Sequence, residues 1–277
     1  MTLWAISDLH LASEVNRDAL SSLPDHGADW LIIAGDIGEK FDHLKFALSI
    51  LTRRFAKVIW VPGNHDLWAI PEAQSDTALA GQERYAALVA LAQSYGVLTP
   101  EDDFATFESD DGPLTIAPLF LLYDYSFRPA SVARPHVVEW AREANSVCAD
   151  ETFLSPAPWP SCDAWCAERL RLSIARLSAL AADTSTVLVN HWPLRADLIQ
   201  IPRIPRFKPW CGTTATDDWH QRFNARVVVS GHLHTRRTDW RDTTRFEEVS
   251  LGYPRQWDQR RSLQSYLRKI ASPSDSR

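Results

Sequence analysis

Five short apolar runs, scattered along the chain, each stop on residues that bind metal ions or move protons. Leu3-Trp4-Ala5-Ile6 leads into Ser7-Asp8-Leu9-His10, and Trp30-Leu31-Ile32-Ile33-Ala34 into Gly35-Asp36. Val58-Ile59-Trp60-Val61-Pro62 leads into Gly63-Asn64-His65-Asp66. Val187-Leu188-Val189 ends at Asn190-His191, and Val227-Val228-Val229 at Ser230-Gly231-His232-Leu233-His234. Runs this short and apolar read as buried strands. In an open α/β sheet, ligands gather beyond the carboxyl ends of the strands. Asp8, His10, Asp36, Asn64, His191, His232 and His234 can therefore converge, although they lie far apart in sequence. On an extended segment, a two-residue spacing puts both side chains on one face, which suits Asp8 with His10 and His232 with His234.

Strand, helix and strand alternate over the first sixty or so residues, with helical signals at 14–22 and from Phe41 to Phe55. That rhythm predicts a parallel sheet with crossover helices. Glu83 to Gln93 and Cys162 to Ala182 also read as helices. Turns at Asp110-Asp111-Gly112 and Arg241-Asp242-Thr243-Thr244 predict two hairpins. Antiparallel strands after a parallel half give an α/β (α+β) fold with two sheets. Residues 68–80 read as a polar loop. Two longer stretches, 119–160 and 192–216, hold aromatics and prolines without a period, and read as lid-like segments that wall a site. The expected organisation is one domain over residues 1–262, then a polar tail, 263–277, frayed from Ala271.

The formal charge of −6 gives no footprint for a nucleic-acid backbone. An anionic substrate would need metal ions or a few placed arginines. Cys148, Cys162, Cys166 and Cys211 show no paired spacing and read as inert thiols. Neither a signal peptide nor a membrane span is visible, so the expectation is a soluble, cytoplasmic protein.

The donor set is two carboxylates, one amide and four imidazoles. That exceeds one tetrahedral ion and suits two five- or six-coordinate ions sharing a carboxylate. Two ions about 3.5–4 Å apart can hold the attacking and leaving oxygens of a phosphoryl displacement and make hydroxide available near neutrality. A lone structural zinc at the histidine pair is the bland alternative.

In order, Asp8-Leu9-His10, Gly35-Asp36, Gly63-Asn64-His65-Asp66, Asn190-His191 and Gly231-His232-Leu233-His234 resemble the five motifs of the calcineurin-like metallophosphoesterase superfamily. The resemblance implies two packed mixed β-sheets flanked by helices, a four-layer sandwich. It implies that Asp8, His10, Asp36 and His234 hold one ion, and that Asp36 bridges to a second held with Asn64, His191 and His232. His65 would be a catalytic residue rather than a ligand, stabilising the transferring phosphoryl group or protonating the leaving oxygen, and Asp66 would orient it. Manganese is the favoured metal, with iron, zinc and nickel open. The activity expected is metal-dependent phosphoester hydrolysis, with a bridging hydroxide as nucleophile. A phosphomonoester of a small, nucleotide-like or sugar-like metabolite is preferred as substrate. A small diester such as a cyclic nucleotide is the alternative, and a non-catalytic metal-binding scaffold a distant third. Arg128, Arg195, Arg206 and Trp192 are the substrate-contact candidates; Arg203 and Lys208 are further cations for the same role, and Trp68, Phe207, Trp210 and Tyr253 are candidate stacking surfaces. His26, His43, His136 and His220 fit no motif.

Overall fold

The computed structural model describes residues 1–70 and 79–272. Most of the loop expected at 68–80 lies outside them. Ten strands follow in chain order: β1 Leu3–Ile6, β2 Trp30–Ile33, β3 Lys57–Trp60, β4 Ala105–Ser109, β5 Gly112–Pro118, β6 Thr186–Val189, β7 Ala225–Ser230, β8 Arg237–Arg241, β9 Thr244–Glu248 and β10 Arg268–Ala271. They form two mixed sheets, ordered β10-β1-β2-β3 and β4-β5-β6-β7-β9-β8. Within the first, β1, β2 and β3 run parallel, in register Leu3 to Trp30 and Trp30 to Lys57. Helices α1, Glu14–Ser21, and α2, Phe41–Arg54, make the crossovers. The second sheet keeps β5, β6, β7 and β9 parallel and adds the hairpin partners β4 and β8 at its edges.

Alternation of side chains along each strand sets the layers. Leu3, Ala5, Ile32, Ala34, Ile59 and Val61 point from the first sheet at Phe107, Ile116, Val187, Val189, Val227 and Val229 of the second. The opposite face of the first sheet, with Ile6, Leu31, Ile33, Val58 and Trp60, packs on Leu44, Leu48 and Leu51 of α2. The far face of the second, with Ala117, Leu188 and Val228, packs on Leu177 and Trp219. Helices therefore cover both outer faces, giving the expected four layers. Truncating one of the inter-sheet residues, such as Ile59 to Ala, should cost about 2–5 kcal/mol.

One boundary needs correction. Residues 263–277 are not simply a polar tail, because β10 pairs antiparallel with β1 and closes that edge of the first sheet. Leu263, Tyr266, Leu267 and Ile270 are buried there. Only one of the four β10 residues is a large apolar one, and a strand that short at a charged edge leaves no periodic signal. The two irregular stretches also contain ordered turns. The first holds helices α3, Val137–Arg142, and α4, Asp150–Phe153, and the second holds three 3-10 turns between Ala196 and Thr216. Among the described residues no helix is long and apolar enough to cross a membrane, and the four cysteines are free.

Candidate metal centre

The motif residues do not sit on extended strand, as the spacing argument supposed. β1 stops at Ile6, and Asp8, His10, Asp36, His232 and His234 all have positive φ, between 43° and 72°. Left-handed backbone at a non-glycine residue costs on the order of 1–2 kcal/mol, and Asp, Asn and His tolerate it best. The surrounding bonds hold the turns in place: the amide of Asp8 donates to the Gly35 carbonyl at 2.9 Å, and that of His10 to Asp36 at 3.1 Å. The pairs still converge, but through tight turns. Two motif glycines are fixed by close approach. A Cβ at Gly63 would stand 2.1 Å from Asp36 Oδ1, and one at Gly231 would stand 2.3 Å from Asp8 Oδ2.

All seven donors meet at the carboxyl ends of β1, β2, β3, β6 and β7. His234 Nε2 lies 2.9 Å from Asp8 Oδ1 and 3.1 Å from His10 Nε2. His191 Nε2 lies 3.4 Å from Asp36 Oδ2 and 3.1 Å from Asn64 Oδ1. His232 Nδ1 is 3.2 Å from the same amide oxygen. Among the described residues three groups have donor atoms within 4.8 Å of one another: Asp8, His10 and His234; Asp8, Asp36 and His191; His10, Asp36 and His65. Asp8 as well as Asp36 therefore stands between the two ends of the cluster.

The neighbours of these donors test whether a cation fits. The amide of Asn64 is oriented by Asp150, whose Oδ1 accepts from Asn64 Nδ2 at 2.9 Å, leaving the amide oxygen facing inward. His191 Nδ1 donates to the Ala34 carbonyl at 2.8 Å, so in the neutral ring Nε2 presents a lone pair. Asp8 Oδ2 already accepts from Ser7 Oγ at 2.6 Å, Ser250 Oγ at 2.8 Å and the His232 amide at 3.1 Å. Its Oδ1 is left for the cluster. With His191 neutral, its Nε2 faces the Asp36 carboxylate and the Asn64 oxygen as acceptor against acceptor, and a cation between them reconciles the contacts. Burial pulls His10 down to about 4 and His232 to about 3, so both are neutral imidazoles, the form that binds metal. Burial also opposes protonation of His191, but the charge of Asp36 outweighs it and raises the ring to about 10. A metal ion can take the place of that proton. The donor set and its orientation fit a two-ion site.

His65 is held at the edge of the cluster. Its amide donates to Asp36 Oδ1 at 2.9 Å, and its Nε2 stands 4.0 Å from Asp36 Oδ2. Asp66, expected to orient it, does something else. It accepts four backbone amides, from Asp36 and Gly63 on one oxygen and Ile37 and Gly38 on the other, and so ties the β2 and β3 loops together. The carboxylate on His65 Nδ1 is Glu39, at 3.0 Å. Burial opposes the charged form of His65, but Asp36 and Glu39 outweigh it and raise its pKa.

The substrate-contact candidates do not gather here. Trp192 is fully buried and packs beneath the cluster, its ring 5.0 Å from His191 and 5.9 Å from His232. Arg128 donates to the Val132 and Tyr125 carbonyls, Arg195 to Asp197 and the Asp217 carbonyl, and Arg206 to Glu143 and the Trp140 carbonyl. A count of arginines cannot foresee that each will be used locally. Sequence reasoning missed Glu39, Asp150 and Gln256, which accepts at 2.8 Å from His234 Nδ1. It weighed Tyr253 only as a stacking surface, and the ring does stack on His10 at 4.2 Å, with its hydroxyl 3.5 Å from His65 Nε2. Glu39, three positions after Asp36, was within reach of inspection; Asp150 carried no signal.

Comparison with known proteins decides the assignment. The family model described as calcineurin-like phosphoesterase matches residues 1–236. The chain belongs to the calcineurin-like phosphoesterase family. A curated relative, the "[Acyl-carrier-protein] phosphodiesterase PptH" of Mycobacterium tuberculosis, is 49% identical over 271 residues, which is 97% of this chain and 83% of the relative. The crystal structure titled Phosphopantetheinyl Hydrolase (PptH) from the same organism superposes with a TM-score of 0.90 at 48% identity, covering 97% of this chain and 95% of that one. The two-sheet architecture is thus the metallophosphoesterase fold, and the protein is a phosphoester hydrolase.

Proposed function

We propose that this calcineurin-like phosphoesterase is a phosphodiesterase that releases phosphopantetheine from an acyl carrier protein. What carries the reading is 49% identity along 97% of the chain to a protein named for that activity, on a scaffold whose seven donors converge. The monoester preference drawn from sequence gives way to the diester alternative. The motifs could not separate the two, since both reactions displace an oxygen at phosphorus with the same donors. The substrate is then borne by a protein and is not a small free metabolite.

Metal ions, when bound, supply Lewis-acid stabilisation at phosphorus and the acidity that makes water nucleophilic at neutral pH. The chain holds Asn64 through Asp150, His191 through Ala34 and His234 through Gln256, so the donors are oriented before substrate arrives. In hydrolysis the water oxygen bonds to phosphorus, and the bond from phosphorus to the carrier oxygen breaks. The departing oxygen takes the electron pair and needs a proton. His65 can supply it from Nε2, because Glu39 on Nδ1 favours the imidazolium. Manganese is the ion to try first; iron, zinc and nickel suit the same donors.

The test is to incubate the manganese-loaded protein with phosphopantetheinylated carrier and follow the carrier's intact mass. Loss of the arm with release of free phosphopantetheine is expected. Retention of the arm by protein that hydrolyses p-nitrophenyl phosphate would overturn the reading.

A further inference from the structure

Hydrolysis at the carrier end of the arm constrains docking. The bond to be broken joins phosphorus to an oxygen of the carrier itself, so the carrier's surface must come within about one side chain of the cluster. A docking surface at the rim of the site is required, and one stretch of the second irregular segment is built for it. Phe207 stacks towards the metal donor His232, with 5.9 Å between ring centroids. Beside it, Arg203 and Ile204 are exposed, and Arg206 and Lys208 are half-exposed. Ile204, at 45% exposure, is one of few large apolar side chains presented to solvent. No acidic residue falls between Asp197 and Asp217, in a chain that is acidic as a whole. The side chains of Arg203 and Lys208 make no hydrogen bond or ion pair among the described residues.

The stretch is also stiff. Pro202, Pro205 and Pro209 restrict its backbone, and successive turns close from the Ile204 amide to Ile201 at 3.0 Å and from the Phe207 amide to Ile204 at 2.9 Å. Trp210 anchors its end, fully buried, with Nε1 donating to Glu151 at 2.7 Å. A preformed surface loses little entropy on association. Cations around one apolar side chain complement a partner face with acidic groups around an apolar spot.

We infer that residues 201–208 dock the carrier protein through an acidic face on it and place its phosphodiester against the cluster. This rests on the proposed carrier reaction and adds where the carrier sits. Substituting Arg203→Glu together with Lys208→Glu, and separately Ile204→Asp, should lower kcat/KM for the phosphopantetheinylated carrier about tenfold or more, mainly through KM. Turnover of bis(p-nitrophenyl) phosphate and bound metal should stay within twofold of wild type. Added sodium chloride should raise the wild-type KM for carrier and leave the small diester unaffected. Anisotropy of labelled apo-carrier, which has no arm, reads docking apart from chemistry; wild type should bind it and the double variant should not. Carrier kinetics unchanged in the variants would overturn the docking surface and leave the carrier reaction standing. Apo-carrier binding lost in the variant, with no arm released by wild type, would overturn the reaction and leave the docking surface. Absence of both binding and release would overturn both.

Discussion

The two ends of the donor cluster each pair two histidines with one side-chain oxygen donor, an amide at one end and a carboxylate at the other, and are held by different parts of the chain. At the end with Asn64, His191 and His232, the orienting groups are Asp150, the Ala34 carbonyl and the buried ring of Trp192. At the end with His10 and His234, which Asp8 joins to the rest, they come from the stretch after β9: Ser250 on Asp8, Gln256 on His234 and Tyr253 against His10. The first end is set by a carboxylate from an irregular segment, and the second by the chain returning from the last hairpin. Strand ends supply the donors, while unrelated segments fix their aim. Substitutions can therefore disable one end without the other.

Asp36 should break both ends at once. Asp36→Asn removes a charge that faces His191 and holds the His65 amide, and turnover should fall by at least about a thousandfold with loss of bound metal. Steady-state kinetics and metal analysis by mass spectrometry check this; near-normal turnover with full metal content would show that Asp36 joins nothing. Asp150→Ala should separate the ends. Without its acceptor the Asn64 amide is free to turn, and metal affinity should fall about 10–100-fold at one of two sites, the size expected for an outer partner. Asp150→Asn, which keeps an acceptor oxygen, should restore part of it. Equal weakening at both sites would contradict the division. Tyr253→Phe should touch only the other end. Deleting one hydroxyl near His65 should cost about 0.5–1.5 kcal/mol, a two- to tenfold drop in kcat, with metal content unchanged.

The smallest effect concerns pH, and here the two ends match. Each pairs a ring whose pKa is raised with one whose pKa is lowered. His191 and His234 are raised to about 10 and about 9. Their stabilising contribution is complete below the ordinary value near 6.5 and disappears as pH climbs through 9–10. Burial lowers His10 to about 4 and His232 to about 3. Their neutral form is kept without cost above about 6.5, and stability is lost as pH drops towards 4–3. Chelator-treated protein should accordingly show its highest Tm near pH 6–7 and fall on both sides. Reloading with manganese should flatten the curve, because the same atoms are then held by metal. A Tm that climbs steadily to pH 10 after chelation would contradict the raised values.

How much of this was readable beforehand differs by type of residue. The strand runs and their terminal Asp, Asn and His residues were legible because apolar periodicity and donor type are local properties. Several of the corrections are non-local. Asp66 accepts amides from two loops, and the carboxylate on His65 is Glu39. Trp192 lies under the site and not over it. β10 was invisible because its pairing partner is β1, at the other end of the chain.

The sequence by itself determined the layered α/β scaffold and the donor chemistry, since burial patterns and ligand types are written residue by residue. Only the tertiary structure decided which carboxylate orients which donor, which arginines are already used, and which cations are left facing outward. Those outcomes depend on distances between segments far apart in the chain, and a one-dimensional pattern does not contain such distances.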